Sequence, residues 1–134
     1  MAYSSVRSLG EARAFIAMAG QENAGLCLDA LHFYRSDSSL EELATLDPGE
    51  LVLIQFCDAA REAPSADQLR QEARGGRLYP GEGALPLREF VSALPPDRLL
   101  DIEAPCAADA ELTVGEKAKK AAAATAVFLR RQGR

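Results

Sequence analysis

Apolar residues in this chain fall into two kinds of segment that alternate along its length. Three short runs, Leu26–His32 (LCLDALH), Leu51–Asp58 (LVLIQFCD) and Leu99–Glu103 (LLDIE), are too short for a buried helix and read as strands ending in polar side chains. Between them apolar positions recur at helical spacing. Ala12, Ala14, Phe15, Ile16, Met18 and Ala19 give a helical face over about residues 9 to 20, opened by Ser8 as cap and stopped at Gly20. Ser36-Asp37-Ser38-Ser39 opens a short helix with Leu40, Leu43 and Leu46, which Asp47-Pro48-Gly49 ends. Pro86 stands as the first residue of a helix carrying Leu87, Phe90, Val91 and Leu94, closed by Pro95-Pro96. After a loop at Ala104 to Asp109, the Ala- and Lys-rich stretch Leu112 to Arg131 forms the last, partly apolar helix.

The order α-β-α-β-loop-α-β-α, with strands that are continuous rather than alternating in hydrophobicity, suits parallel strands buried on both faces. The expected class is α/β, with about three parallel strands and about four helices. In such a sheet the carboxyl ends of the strands face one crevice, so Asp29, His32, Gln55, Asp58 and Glu103 are expected to converge. The segment from Asp58 to Glu82 is broken by Pro64, Gly75, Gly76, Pro80 and Gly81, with one helical turn around Asp67 to Arg74. A loop of this length leaving a strand's carboxyl end is expected to overhang the site. Three strands also leave two sheet edges with unpaired backbone groups, which something has to cover.

Composition narrows the reading. The chain has 134 residues, room for a single domain, and is 48% hydrophobic and 26% charged, far from the signature of disorder. With 15 Lys plus Arg against 20 Asp plus Glu the formal net charge is −5, which works against nucleic acid as a partner. No stretch reaches the roughly 18 apolar residues of a membrane helix, and Met1-Ala2-Tyr3-Ser4-Ser5 lacks the blocks of a secretion signal, so a cytoplasmic location without membrane partners is expected. Cys27, Cys57 and Cys106 occur singly, an odd number without C-x-x-C spacing, and read as reduced thiols; Cys27 and Cys57 lie inside strand runs as small hydrophobes.

The candidate chemistry is carboxylate-based. An ionised Asp29 near the end of an apolar run costs several kcal/mol unless it is paired or metal-bound. His32, three positions on, completes an oxygen-plus-nitrogen set, equally consistent with a capped loop start. Glu103 is the second such carboxylate, with Asp101 on the same side of an extended segment. Gln55 is a poor metal ligand, and Asp58 reads first as a loop cap. Arg77-Leu78-Tyr79-Pro80-Gly81-Glu82-Gly83 combines a forked cation with glycines that admit close backbone approach, but matches no nucleotide-binding fingerprint.

Four blocks in order, Gly25–His32, Ile54–Asp58, Arg77–Gly83 and Asp101–Glu103, resemble the xylose isomerase-like TIM barrels, the sugar phosphate isomerases and epimerases that include inosose dehydratase-like proteins. The likeness covers about residues 5 to 104 and only the last half of the family's barrel. It implies a divalent metal (manganese, magnesium, cobalt or zinc) held by Glu, Asp, His and Glu at strand ends. The resemblance puts the Asp on Asp29 and the final Glu on Glu103, which also moves protons beside a substrate carbonyl. It puts the substrate-contacting histidine and arginine on His32 and Arg77. The family's histidine ligand falls on Gln55, whose amide oxygen can still coordinate a hard cation. Its first glutamate would lie on a strand upstream of Tyr3.

A full barrel needs eight strands and about 250 residues. The chain is therefore expected to be the C-terminal half of one, truncated or naturally half-size, and completed by a second copy or by a separate N-terminal half-barrel. The implied function is a metal-dependent isomerase or epimerase of a sugar, sugar phosphate or polyol. A dehydratase on the same scaffold would use the same groups, and a non-catalytic interaction module would need none of them. DNA-repair endonucleases on a related barrel are disfavoured by the acidic balance and the single histidine.

Overall fold

In a computed structural model, which describes residues 4–133, three parallel strands form one sheet in the order β1-β2-β3. Met1 to Tyr3, part of the amino-terminal stretch considered above, lie outside the described residues. The elements run α1 (Leu9–Ala19), β1 (Leu26–Asp29), α2 (Ala30–Tyr34), α3 (Leu40–Leu43), β2 (Leu51–Phe56), α4 (Leu69–Gly75), α5 (Leu87–Ala93), β3 (Leu100–Ile102) and α6 (Val114–Arg131). The described chain thus has six α-helices where about four were expected. The additional two are short: α2 continues an apolar run that carries no helix signal of its own, and α4 is the turn expected within the long loop.

Local chemistry explains the boundaries. Ser8 caps α1 in a reciprocal capping box with Glu11, and Gly20 ends it in the left-handed conformation (φ 58°). Thr113 and Glu116 open α6 in the same way. Asp29 is at once the last residue of β1 and the cap of α2, its carboxylate accepting the His32 backbone N–H at 3.0 Å. His32 therefore sits on a helical turn rather than on the strand.

Register divides the sheet into two faces. Leu28 pairs with Ile54, which pairs with Leu100, and Phe56 pairs with Ile102. These side chains join the core, together with Leu31, Phe33, Leu43, Leu87 and Phe90 from the helices. Phe90 lies at its centre, fully buried, 5.4 Å from the Phe33 ring and 6.4 Å from that of Phe56. Burying a ring of this size contributes about 2–3 kcal/mol. The opposite face is formed by Cys27, Leu53, Gln55 and Asp101, of which Cys27 and Asp101 are exposed and Leu53 is 39% exposed. Burial on both faces was expected from the apolar runs, and only one face is covered. No helix among the described residues is long and apolar enough to cross a membrane.

Candidate functional site

Asp29 and Gln55 are register partners, as are Gln55 and Asp101, so the carboxyl ends of the strands lie side by side. Two residues past Asp101, the Glu103 backbone N–H still donates to Phe56 O at 3.2 Å, which extends the alignment to Glu103. The chain leaving β2 pairs back on itself through an antiparallel bridge between Asp58 and Leu78, and Gly76 bridges Cys106. Held between these two contacts, Arg77 points its guanidinium at the strand ends.

That guanidinium organises the site. Nη1 donates to Asp29 Oδ2 at 2.7 Å, to the Glu103 carbonyl at 3.2 Å and to Cys57 Sγ at 3.4 Å, and lies 3.6 Å from Glu103 Oε2. Nε donates to the Ala73 carbonyl on α4 at 3.0 Å. The Asp29 and Arg77 side chains are 6% and 3% exposed, whereas Glu103 is 39% exposed. Removing either partner of so buried a pair strands the other charge, at a cost of about 3–5 kcal/mol.

The same surroundings shift the titrating groups. Burial pushes the Glu103 carboxyl upward, with Asp29 adding to the rise and Arg77 opposing it. Burial also lowers the His32 imidazole below its ordinary value, only partly offset by Asp29. The Cys57 thiol is driven up to about 11, chiefly by burial, and stays protonated at neutral pH. A cavity of about 310 Å³ is lined among others by Asp29, His32, Gln55, Arg7 and Ser38.

Of the residues singled out in the sequence, Asp29, Arg77 and Glu103 meet directly, and His32 and Gln55 border the same cavity. Asp58 does not join them. It is buried with Oδ1 accepting from the backbone of Ala59 (2.8 Å) and Leu85 (3.0 Å), and Oδ2 from Gly81 and Gly83 (3.0 Å each), so it organises the loop. The contacts of Cys57 Sγ and the Ala73 carbonyl with Arg77 carry no sequence signal, because Cys57 reads as a small buried hydrophobe and Ala73 as one residue of a turn within the loop.

The residues present do not fit a metal centre as arranged. Both Asp29 oxygens are engaged, one by Arg77 and one by the His32 backbone, and the Gln55 amide oxygen accepts the Cys27 thiol at 3.5 Å. Among the described residues no three His, Cys, Asp or Glu side chains converge to hold an ion.

Comparison with known proteins gives a consistent picture. The family model described as xylose isomerase-like TIM barrel matches residues 1–132, and the chain belongs to that family. Curated relatives named inosose isomerase are 29% identical over 90 residues in Bacillus velezensis (strain DSM 23117 / BGSC 10A6 / LMG 26770 / FZB42) and in Bacillus subtilis (strain 168). The match takes in 67% of this chain but only 30% and 31% of those proteins, so the chain spans about a third of their length. Among solved structures, an IOLI protein with a binding zinc atom superposes with a TM-score of 0.80 at 22% identity, covering 95% of this chain and 45% of that one. A xylose isomerase-like TIM barrel/4-hydroxyphenylpyruvate dioxygenase fusion protein gives 0.68 at 18% identity over 78% of this chain and 17% of the other. At these identities the two structures speak for the fold.

Proposed function

We propose that this member of the xylose isomerase-like TIM barrel family contributes half of the active site of an isomerase acting on a sugar- or inosose-like carbonyl compound. The observation that carries the proposal is the meeting of Asp29, Arg77 and Glu103, from two strand ends and the loop between them, beside a cavity that His32 borders. The relatives named inosose isomerase support the substrate class. In this reading Glu103 removes a proton from the carbon next to the carbonyl. The C–H electron pair becomes the C=C bond of an enediolate as the carbonyl pair moves onto its oxygen, and the hydroxyl proton passes to that oxygen. The protonated Glu103 then returns its proton to the former carbonyl carbon, while the neighbouring C–O becomes the new carbonyl. A carboxyl raised by burial is suited to both halves of that exchange. Arg77 and His32 hold substrate oxygens, and Asp29 keeps Arg77 in place. Zinc in the IOLI structure supports a divalent cation in the assembled barrel, held with ligands from the completing half, since the groups present here do not form such a centre alone.

Two features support completion by a second copy or an N-terminal half-barrel. One sheet face is left uncovered, and the outer edges of β1 and β3 have no strand partner among the described residues. The test is deuterium incorporation from D₂O at the carbon beside the carbonyl of an inosose, followed by proton NMR with and without added Mn²⁺ or Zn²⁺. Exchange is expected in the wild-type chain and should fall by about 100-fold or more in Glu103→Gln. Equal exchange in wild type and variant, or none under any condition with folded protein, overturns the assignment.

A further inference from the structure

A divalent cation held by this chain's own groups at these strand ends would have to use Asp29, a buried carboxylate that is already paired with Arg77. We propose that the Arg77 guanidinium is the resident cation of this site, and that it excludes divalent metal from Asp29 unless Arg77 is displaced. Arg77 is not a surface arginine that has swung inward. Its backbone N–H donates to Pro105 O at 3.3 Å, and the next residue exchanges two backbone hydrogen bonds with Asp58 at 2.8 and 2.9 Å. Its Nε is tied to α4 through Ala73 O, and its side chain is 3% exposed.

Moving the guanidinium off Asp29 would leave it buried, facing only neutral acceptors and a carboxylate oxygen 3.6 Å away. Leaving it in place would force a second cation against the first. Either outcome opposes binding, because an uncompensated buried charge is far more costly than a paired one. The other oxygens do not offset this. Gln55 Oε1 is turned to Cys27, Asp101 is exposed, and Glu103 by itself is a single, partly solvated ligand. The inference concerns occupancy of the site and stands whether or not the chain isomerises a substrate.

Mn²⁺ titration followed by electron paramagnetic resonance, on the full chain and three variants, tests it directly. In the wild type no Asp29-dependent site tighter than about 1 mM is expected. Arg77→Met, which keeps the bulk and removes the charge, should gain a site at least about tenfold tighter, lost again in Arg77→Met/Asp29→Asn. A stoichiometric wild-type site that Asp29→Asn abolishes overturns the proposal, and so does a folded Arg77→Met that gains nothing. If Arg77→Met does not fold, the Arg77 Nε–H resonance of the wild-type chain decides. Its position should be unchanged by millimolar Zn²⁺, whereas a shift that Asp29→Asn prevents overturns the proposal.

Discussion

His32 is the chain's single histidine, and its environment sets the sign of one pH effect. Burial holds its imidazole below the ordinary 6.5, so the folded state prefers the neutral ring. The corresponding stability is fully present above the unfolded value and is lost as pH falls through the folded one. Glu103 runs the opposite way. Its carboxyl is raised above 4.5, so folding favours its protonated form, and that contribution fades as pH rises through the folded value. We expect the His32 ring resonance to titrate with a midpoint below 6.5 in the native protein. Asp29→Asn should lower that midpoint further, since Asp29 opposes the effect of burial. A midpoint at or above 6.5 would show that the ring is better solvated than its position implies.

The segment between β2 and α5 shows what a chain pattern can and cannot convey. Its glycines and prolines marked it as loop, and the expectation that it reaches over the strand ends is met by Arg77. The reason it holds its shape was not legible, since four backbone N–H groups, from positions 59, 81, 83 and 85, find one carboxylate only in three dimensions. Gly83 shows how closely they gather, because a Cβ there would lie 2.4 Å from Ala59 O and 2.5 Å from Asp58 Oδ1. Asp58→Asn replaces one acceptor oxygen with a donor that faces other donors. It should cost about 3 kcal/mol in urea unfolding, with buried N–H groups left unsatisfied. A loss under about 1 kcal/mol would mean the loop re-pairs its amides with water. Helix α2 carries no sequence signal for a related reason. Asp29 ends a strand and caps a helix at once, and the apolar run Ala30-Leu31 gives no sign of the change.

The strands' apolar runs call for burial on both faces, and the described chain covers only one. Leu28, Ile54, Phe56 and Phe90 do form a packed core on the helical side, as their pattern required. Leu53 and Cys27 lie on the other face and are exposed, and further apolar side chains lie open at Phe15 (62%), Met18 (83%) and Leu99 (91%). An apolar run reports that a surface belongs out of water and cannot say whether the same chain covers it. A sheet with an uncovered face and two open edges is a template for pairing. The chain should therefore self-associate at tens of micromolar when alone, as read by light scattering on a sizing column. Leu53→Lys places a charge in the middle of the uncovered face without touching the core. It should weaken association by at least about tenfold, a change of about 1.4 kcal/mol, while the urea midpoint measured at high dilution stays the same. A compact species of one chain's mass at every concentration, indifferent to Leu53→Lys, would mean that the three-stranded sheet needs no partner.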